Sequence, residues 1–98
     1  MGRYISLWEV DHSTIPVDPK ERAEGWGMLM AMVQQDFEKG VLKDWGAFLA
    51  ESNGYAVYEG TELEVMSAIQ QYVPFCMFEV HPIATADRVN EMLAFMTG

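Results

Sequence analysis

Between Arg3 and Asp11 the chain alternates, with Tyr4, Ser6, Trp8 and Val10 on one side and Ile5, Leu7 and Glu9 on the other. A period of two predicts a β-strand. His12 to Val17 reads as a connecting loop, after which the apolar period lengthens. Asp18-Pro19-Lys20-Glu21 is a helix start: Asp18 can cap, Pro19 suits the first helical position, and Glu21 completes a capping-box-like spacing. Ala23, Trp26, Met30, Val33 and Phe37 form one apolar stripe on a helix that runs to about Lys39 and stops at Gly40. Gly25 and Gly27 each weaken that helix by about 1 kcal/mol, which suggests close backbone packing there. Thr61-Glu62-Leu63-Glu64 is a second capping box. It opens a helix bearing Leu63, Val65, Met66, Ile69, Tyr72 and Val73, which Pro74 ends. Phe75 to Pro82 predicts a last strand, and Thr85 caps a short third helix with the stripe Val89, Met92, Leu93 and Met96.

Val41 to Ser52 and Tyr55 to Glu59 read as two further strands, and Asn53-Gly54 between them is a strong hairpin signal. A type I′ turn needs positive φ at both central residues, which Asn and Gly tolerate. The order is therefore β-α-β-β-α-β plus a helix, in one domain covering residues 1–98. Right-handed crossovers arrange the strands as an antiparallel sheet in the order 4-1-3-2, with two helices over one face. A two-residue loop pairs Ser52 with Tyr55, Ala50 with Val57 and Phe48 with Glu59, and puts Trp45, Ala47, Leu49, Ala56 and Tyr58 on the opposite face. Both faces are then apolar, and two helices bury only one. The bare face would expose on the order of 400 Å² of largely apolar surface. A homodimer packed sheet to sheet covers it best, with Trp45, Leu49, Tyr58 and Phe75 at the interface. The competing expectation is that the third helix folds across the face within one chain.

Composition narrows the partners. Half of the 98 residues are apolar and 12% aromatic, enough for one core and too many for disorder. Fifteen Asp and Glu against six Lys and Arg leave a formal charge of −9. That field repels phosphates, so neither nucleic acid nor an anionic membrane is an expected partner; the acidity reads as a solubility device. The single cysteine, Cys76, has no internal thiol to pair with and reads as a small buried hydrophobe. No long apolar segment of the signal-peptide kind opens the chain, and no run approaches eighteen apolar residues, so a cytoplasmic location is expected.

Chemistry is sparser. Glu79 and His81, two apart on a strand, point the same way, with Met77 below them. A His beside a carboxylate is an oriented general base, or two of the three protein ligands that a catalytic zinc site takes. Glu9, Asp11 and His12 make a rival cluster, separated from His81 by five or six residues of strand, roughly 17–20 Å. No metal and no cofactor are therefore expected. Tyr4, Ser6 and Trp8 share a face and neighbour His81, Glu79 and Met77 across the ladder. Aromatic walls with convergent polar groups describe a small-molecule pocket and equally a dimer interface. The eight methionines read as core and interface filling, and Gly25-Trp26-Gly27, mid-helix, is no phosphate cradle.

Two stretches, Gly54-Tyr55-Ala56-Val57-Tyr58-Glu59-Gly60 and Phe78-Glu79-Val80-His81-Pro82, resemble the dimeric α+β barrel superfamily of ferredoxin-like domains, and within it small stand-alone uncharacterised domains. The architecture covers nearly the whole chain, the matching motifs only about fifteen residues. The superfamily includes metal-free monooxygenases, haem-degrading enzymes, isomerases and proteins without known chemistry. The resemblance implies a dimeric barrel with a cavity between sheet and helices or inside the barrel. Three functions follow: a homodimer that binds a small molecule; a metal-free monooxygenase- or isomerase-type enzyme acting on a small aromatic or lactone substrate; and an assembly module that only dimerises. In the enzyme, His81 is the base, Glu79 orients it, and Tyr4 or Ser6 donates a hydrogen bond.

Overall fold

A computed structural model describes residues 2–50 and 52–98. The strands are β1 (Gly2–Val10), β2 (Leu42–Ala47), β3 (Asn53–Gly60) and β4 (Cys76–Ile83). The helices are α1 (Pro19–Lys39), α2 (Glu62–Gln70) and α3 (Ala86–Thr97). All strand pairs are antiparallel and lie in the order β2-β3-β1-β4, which is 4-1-3-2 read from the other edge. This α+β arrangement is compatible with a ferredoxin-like fold.

Local signals account for most element ends. Asp18 caps α1 by accepting from the Lys20 amide, Pro19 occupies its first turn, and Gly40 ends it at φ 82°, where a side chain would be strained. Thr61 and Glu64 close the capping box of α2, each accepting from the other's backbone N–H. Thr85 caps α3 by accepting from the Arg88 amide.

The hairpin differs from the expectation. Asn53 and Gly54 are not its turn: both lie in β3, and the connection from β2 comes before them, closed by the Phe48 amide donating to the Asn53 carbonyl. Ala47 faces Gly54 and Trp45 faces Ala56, so the pairings of Ser52, Ala50 and Phe48 do not form. Packing is the reason. A Cβ on Gly54 would sit 2.1 Å from the Gly46 carbonyl oxygen and 2.4 Å from Trp8 Cζ2, so this glycine makes room for an indole.

The core lies between the sheet and α1 and α2, built from Trp8, Val33, Leu42, Ala56, Tyr58, Val65, Ala68, Tyr72 and Cys76. The stripe on α1 is rotated from the expected one: Ala23, Met30 and Phe37 are exposed, whereas Trp26, Leu29, Val33 and Asp36 turn inward. On α2, Leu63 and Met66 are exposed and Val65 and Ala68 carry the burial. Gly25 and Gly27 meet no close backbone, since a Cβ on either would have no neighbour within 4 Å.

The other face stays open. Directly opposed residues share a face in an antiparallel ladder, so Ile5, Leu7 and Glu9 lie with Tyr55, Val57, Met77, Glu79 and His81 on the side away from the helices. Helix α3 does not cover it. Every residue of α3 is exposed, and the chain reaches 61 Å along its longest axis, about twice the length of the 21-residue α1.

Candidate functional site

Three indoles form the centre of the helix-side layer. Trp8 stacks on Trp45 with ring centroids 5.4 Å apart and planes at 10°, and meets Trp26 edge-on at 6.0 Å. Its Nε1–H donates to the Tyr55 carbonyl at 3.1 Å, satisfying the polar atom of an otherwise apolar side chain.

Beyond these indoles the end of the sheet opens into a groove of about 420 Å³. Its floor is tied together by the Val10 amide donating to the Ser52 carbonyl and the Asp11 amide to the Phe75 carbonyl, both at 2.8 Å. One wall is the N-terminal half of α1, with Arg22, Gly25, Trp26, Met28, Leu29 and Met32; the turn carrying Thr14, Ile15 and Pro16 forms another. That turn is held by Asp11, whose carboxylate accepts from the Ser13 amide and hydroxyl at 3.0 and 2.8 Å. These bonds hold the Asp11 carboxyl below the usual carboxylate range. A narrow inner gap of about 30 Å³, reaching Trp8, Tyr58, Tyr72, Cys76 and Phe78, shares Val10, Trp26 and Leu29 with the groove.

Behind the gap sits a feature that hydrophobic pattern does not register: Asp36 on α1, 1% exposed. Its carboxylate accepts from the Tyr72 hydroxyl at 2.7 Å and from Gln71 Nε2 at 3.0 Å, joining α1 to the end of α2. Burial first, then the Asp36 bond and charge, push the Tyr72 phenol far above its ordinary value; burial first, then Asp36, does the same to Tyr58. Burial raises the Cys76 thiol. All three groups keep their protons longer folded than unfolded, so stability holds at neutral pH and falls as pH rises. The decline should begin near pH 9, where an unfolded thiol ionises, and steepen above pH 10, where unfolded phenols do. Each unmatched proton contributes a slope of about 1.4 kcal/mol per pH unit. Urea melts between pH 8 and 11.5 check this: Tyr72→Phe should flatten the fall above pH 10, and a flat wild-type profile would contradict the burial of these groups.

The residues expected to form one site are divided by the sheet. Trp8 faces Phe78 and Ser6 faces Val80 on the helix side, while Met77, Glu79 and His81 face Glu9, Leu7 and Ile5 on the open side. Tyr4, Ser6 and Trp8 therefore cannot line a pocket with His81 and Glu79. Ser6 Oγ is fully buried and, among the described residues, has no hydrogen-bond partner. The interface set is corrected as well. Tyr58 is 2% exposed beneath the helices and Trp45 stacks on Trp8, so neither lies on the open face. Leu49 is fully exposed in the loop, and exposed Phe75 lines the groove.

Glu79 and His81 do meet, with His81 Nε2 2.9 Å from Glu79 Oε2 on the exposed strand. Glu9 and His12 meet at 3.5 Å. Glu9 pairs with Met77, four residues from His81, so about 13 Å of strand separates the clusters, less than expected. Among the described residues no three ligating side chains converge on a metal position. No helix of the described chain is long and apolar enough to cross a membrane.

A scan against protein-family models finds no match. A search of curated proteins finds no significantly similar sequence.

Proposed function

We propose that the chain is a small-molecule-binding protein of the dimeric α+β barrel kind, whose ligand lies in the groove between α1 and the end of the sheet. The groove carries this reading. At about 420 Å³ it falls in the range of ligand pockets, and its walls are mostly apolar with a few polar groups, as such pockets require. Trp26 offers an aromatic wall, and Thr14, Ser52 and Gln71 offer hydrogen bonds. The cleft lies on the helix side of the sheet, one of the two places that the resemblance implies.

The second copy belongs to the open face. A four-stranded face of eight residues per strand measures about 500 Å², short of the roughly 800 Å² per partner in a standard interface. The exposed stripe of α3, with Val89, Met92, Leu93 and Met96, supplies further apolar area for the same partner. Glu79 and His81 then lie at the interface between copies, not in the ligand site.

Gly25 gives a clean test. It lines the groove, and a Cβ there would meet nothing within 4 Å. Gly25→Leu should fill the groove while raising helix propensity by about 1 kcal/mol. An apolar aromatic probe such as 2-naphthamide, at a hundredfold excess over its Kd, should stabilise the wild type by about 2.7 kcal/mol in thermal melts. Gly25→Leu should melt at or above the wild-type temperature and lose that shift. An equal shift in both proteins would place the ligand elsewhere.

A further inference from the structure

Among the described residues, the groove contains one unexplained charge. Arg22, in the second turn of α1, is the only charged side chain among the described residues that line it. Arg22 is half-buried as a residue, and among the described residues it forms no ion pair, although the chain holds fifteen carboxylates. Nη1 is committed: it donates to the Pro16 carbonyl at 3.2 Å and to the Val17 carbonyl at 2.6 Å. Those two bonds tie Nη1 to the segment that precedes α1. Among the described residues the Nε–H and Nη2–H edge has no acceptor, and it offers two parallel donors with the spacing of a carboxylate. A partly desolvated cation without a counter-ion is costly, and an anionic ligand would offset that cost.

We propose that the groove selects an amphipathic acid, an aromatic or aliphatic carboxylate whose head is forked by the free edge of Arg22 and whose apolar body lies against Trp26, Leu29 and Met32. The proposal rests on the groove being a ligand site and adds the chemical class of the ligand. The general field cannot supply such a preference, since a chain of charge −9 repels anions at a distance. Any selection for an acid must come from local contact.

The test compares 2-naphthoate with its neutral analogue 2-naphthamide on the wild-type protein, by isothermal titration at neutral pH. A charge-assisted pair is expected to make the acid bind about tenfold tighter or more. Arg22→Gln should abolish the acid's advantage, bringing the acid down to the affinity that the amide shows in the same variant. Arg22→Lys, which keeps the charge and loses the fork, should fall between. Equal affinities in the wild type would overturn the acid preference while the groove stands. An acid preference that survives in Arg22→Gln would overturn the role of Arg22. Binding of neither compound would overturn the groove reading itself. Because the first comparison needs no variant, it holds even if losing the Arg22 clamp on Pro16 and Val17 loosens the fold.

Discussion

Trp8→Ala should cost about 3–5 kcal/mol of folding stability, as truncation of a large buried aromatic does. The indole is almost wholly buried, stacks on Trp45 at 5.4 Å, meets Trp26 at 6.0 Å, and donates to the Tyr55 carbonyl. Removing it deletes those contacts and leaves a cavity that the surroundings cannot fill, because Gly54, directly beneath, has no side chain to move into the space. Trp8→Phe should cost less, since a ring remains, while the Tyr55 carbonyl loses its donor. Urea unfolding followed by circular dichroism measures both variants. A loss below about 1 kcal/mol for Trp8→Ala would mean that the three indoles do not organise the core.

Leu7→Glu should turn the proposed homodimer into a monomer. Leu7 lies near the middle of the open face, between Tyr55 on β3 and Glu79 on β4. A second carboxylate beside Glu79 would bring like charges together in both copies and bury the new one without a partner on association, a penalty of several kcal/mol. The folded monomer should tolerate the change, because Leu7 is already exposed there. Light scattering behind a sizing column should read about 22 kDa for the wild type, twice the 11.1 kDa chain, and about 11 kDa for the variant. A wild type that runs as a monomer would remove the dimer from the account.

Element order was legible because its signals are local. Asp18 with Pro19, Gly40, and Thr61 with Glu64 act within four residues, and each sits at the boundary that its chemistry predicts. The hairpin misled because Gly54 answers two demands. As a dipeptide Asn53-Gly54 favours a turn, but the bare Cα is used to seat Trp8, 46 positions earlier, and the turn moves to the residues before it. Asp36 was illegible for a related reason. A carboxylate in an apolar stripe reads as solvent-facing until Tyr72 and Gln71 are seen to reach it from α2's end, and no periodicity carries that information. The faces kept their sorting, since Trp45 still shares one with Ala56 and Tyr58, but the helices cover that face, so Tyr58 and Trp45 belong to the core and not to the expected interface. The groove draws on β1, the turn after it, α1, the β2–β3 loop and the connection between α2 and β4, segments that only the fold brings together.

Methionine methyls separate these surfaces in one experiment. Met28 and Met32 line the groove, Met77 lies on the open face, and Met92 and Met96 belong to the α3 stripe. In a methyl-labelled spectrum titrated with 2-naphthoate, the Met28 and Met32 signals should move with a saturating curve while Met77 stays in place. Movement of Met77, with Met28 and Met32 unchanged, would put the ligand on the open face and contradict the groove as the functional site.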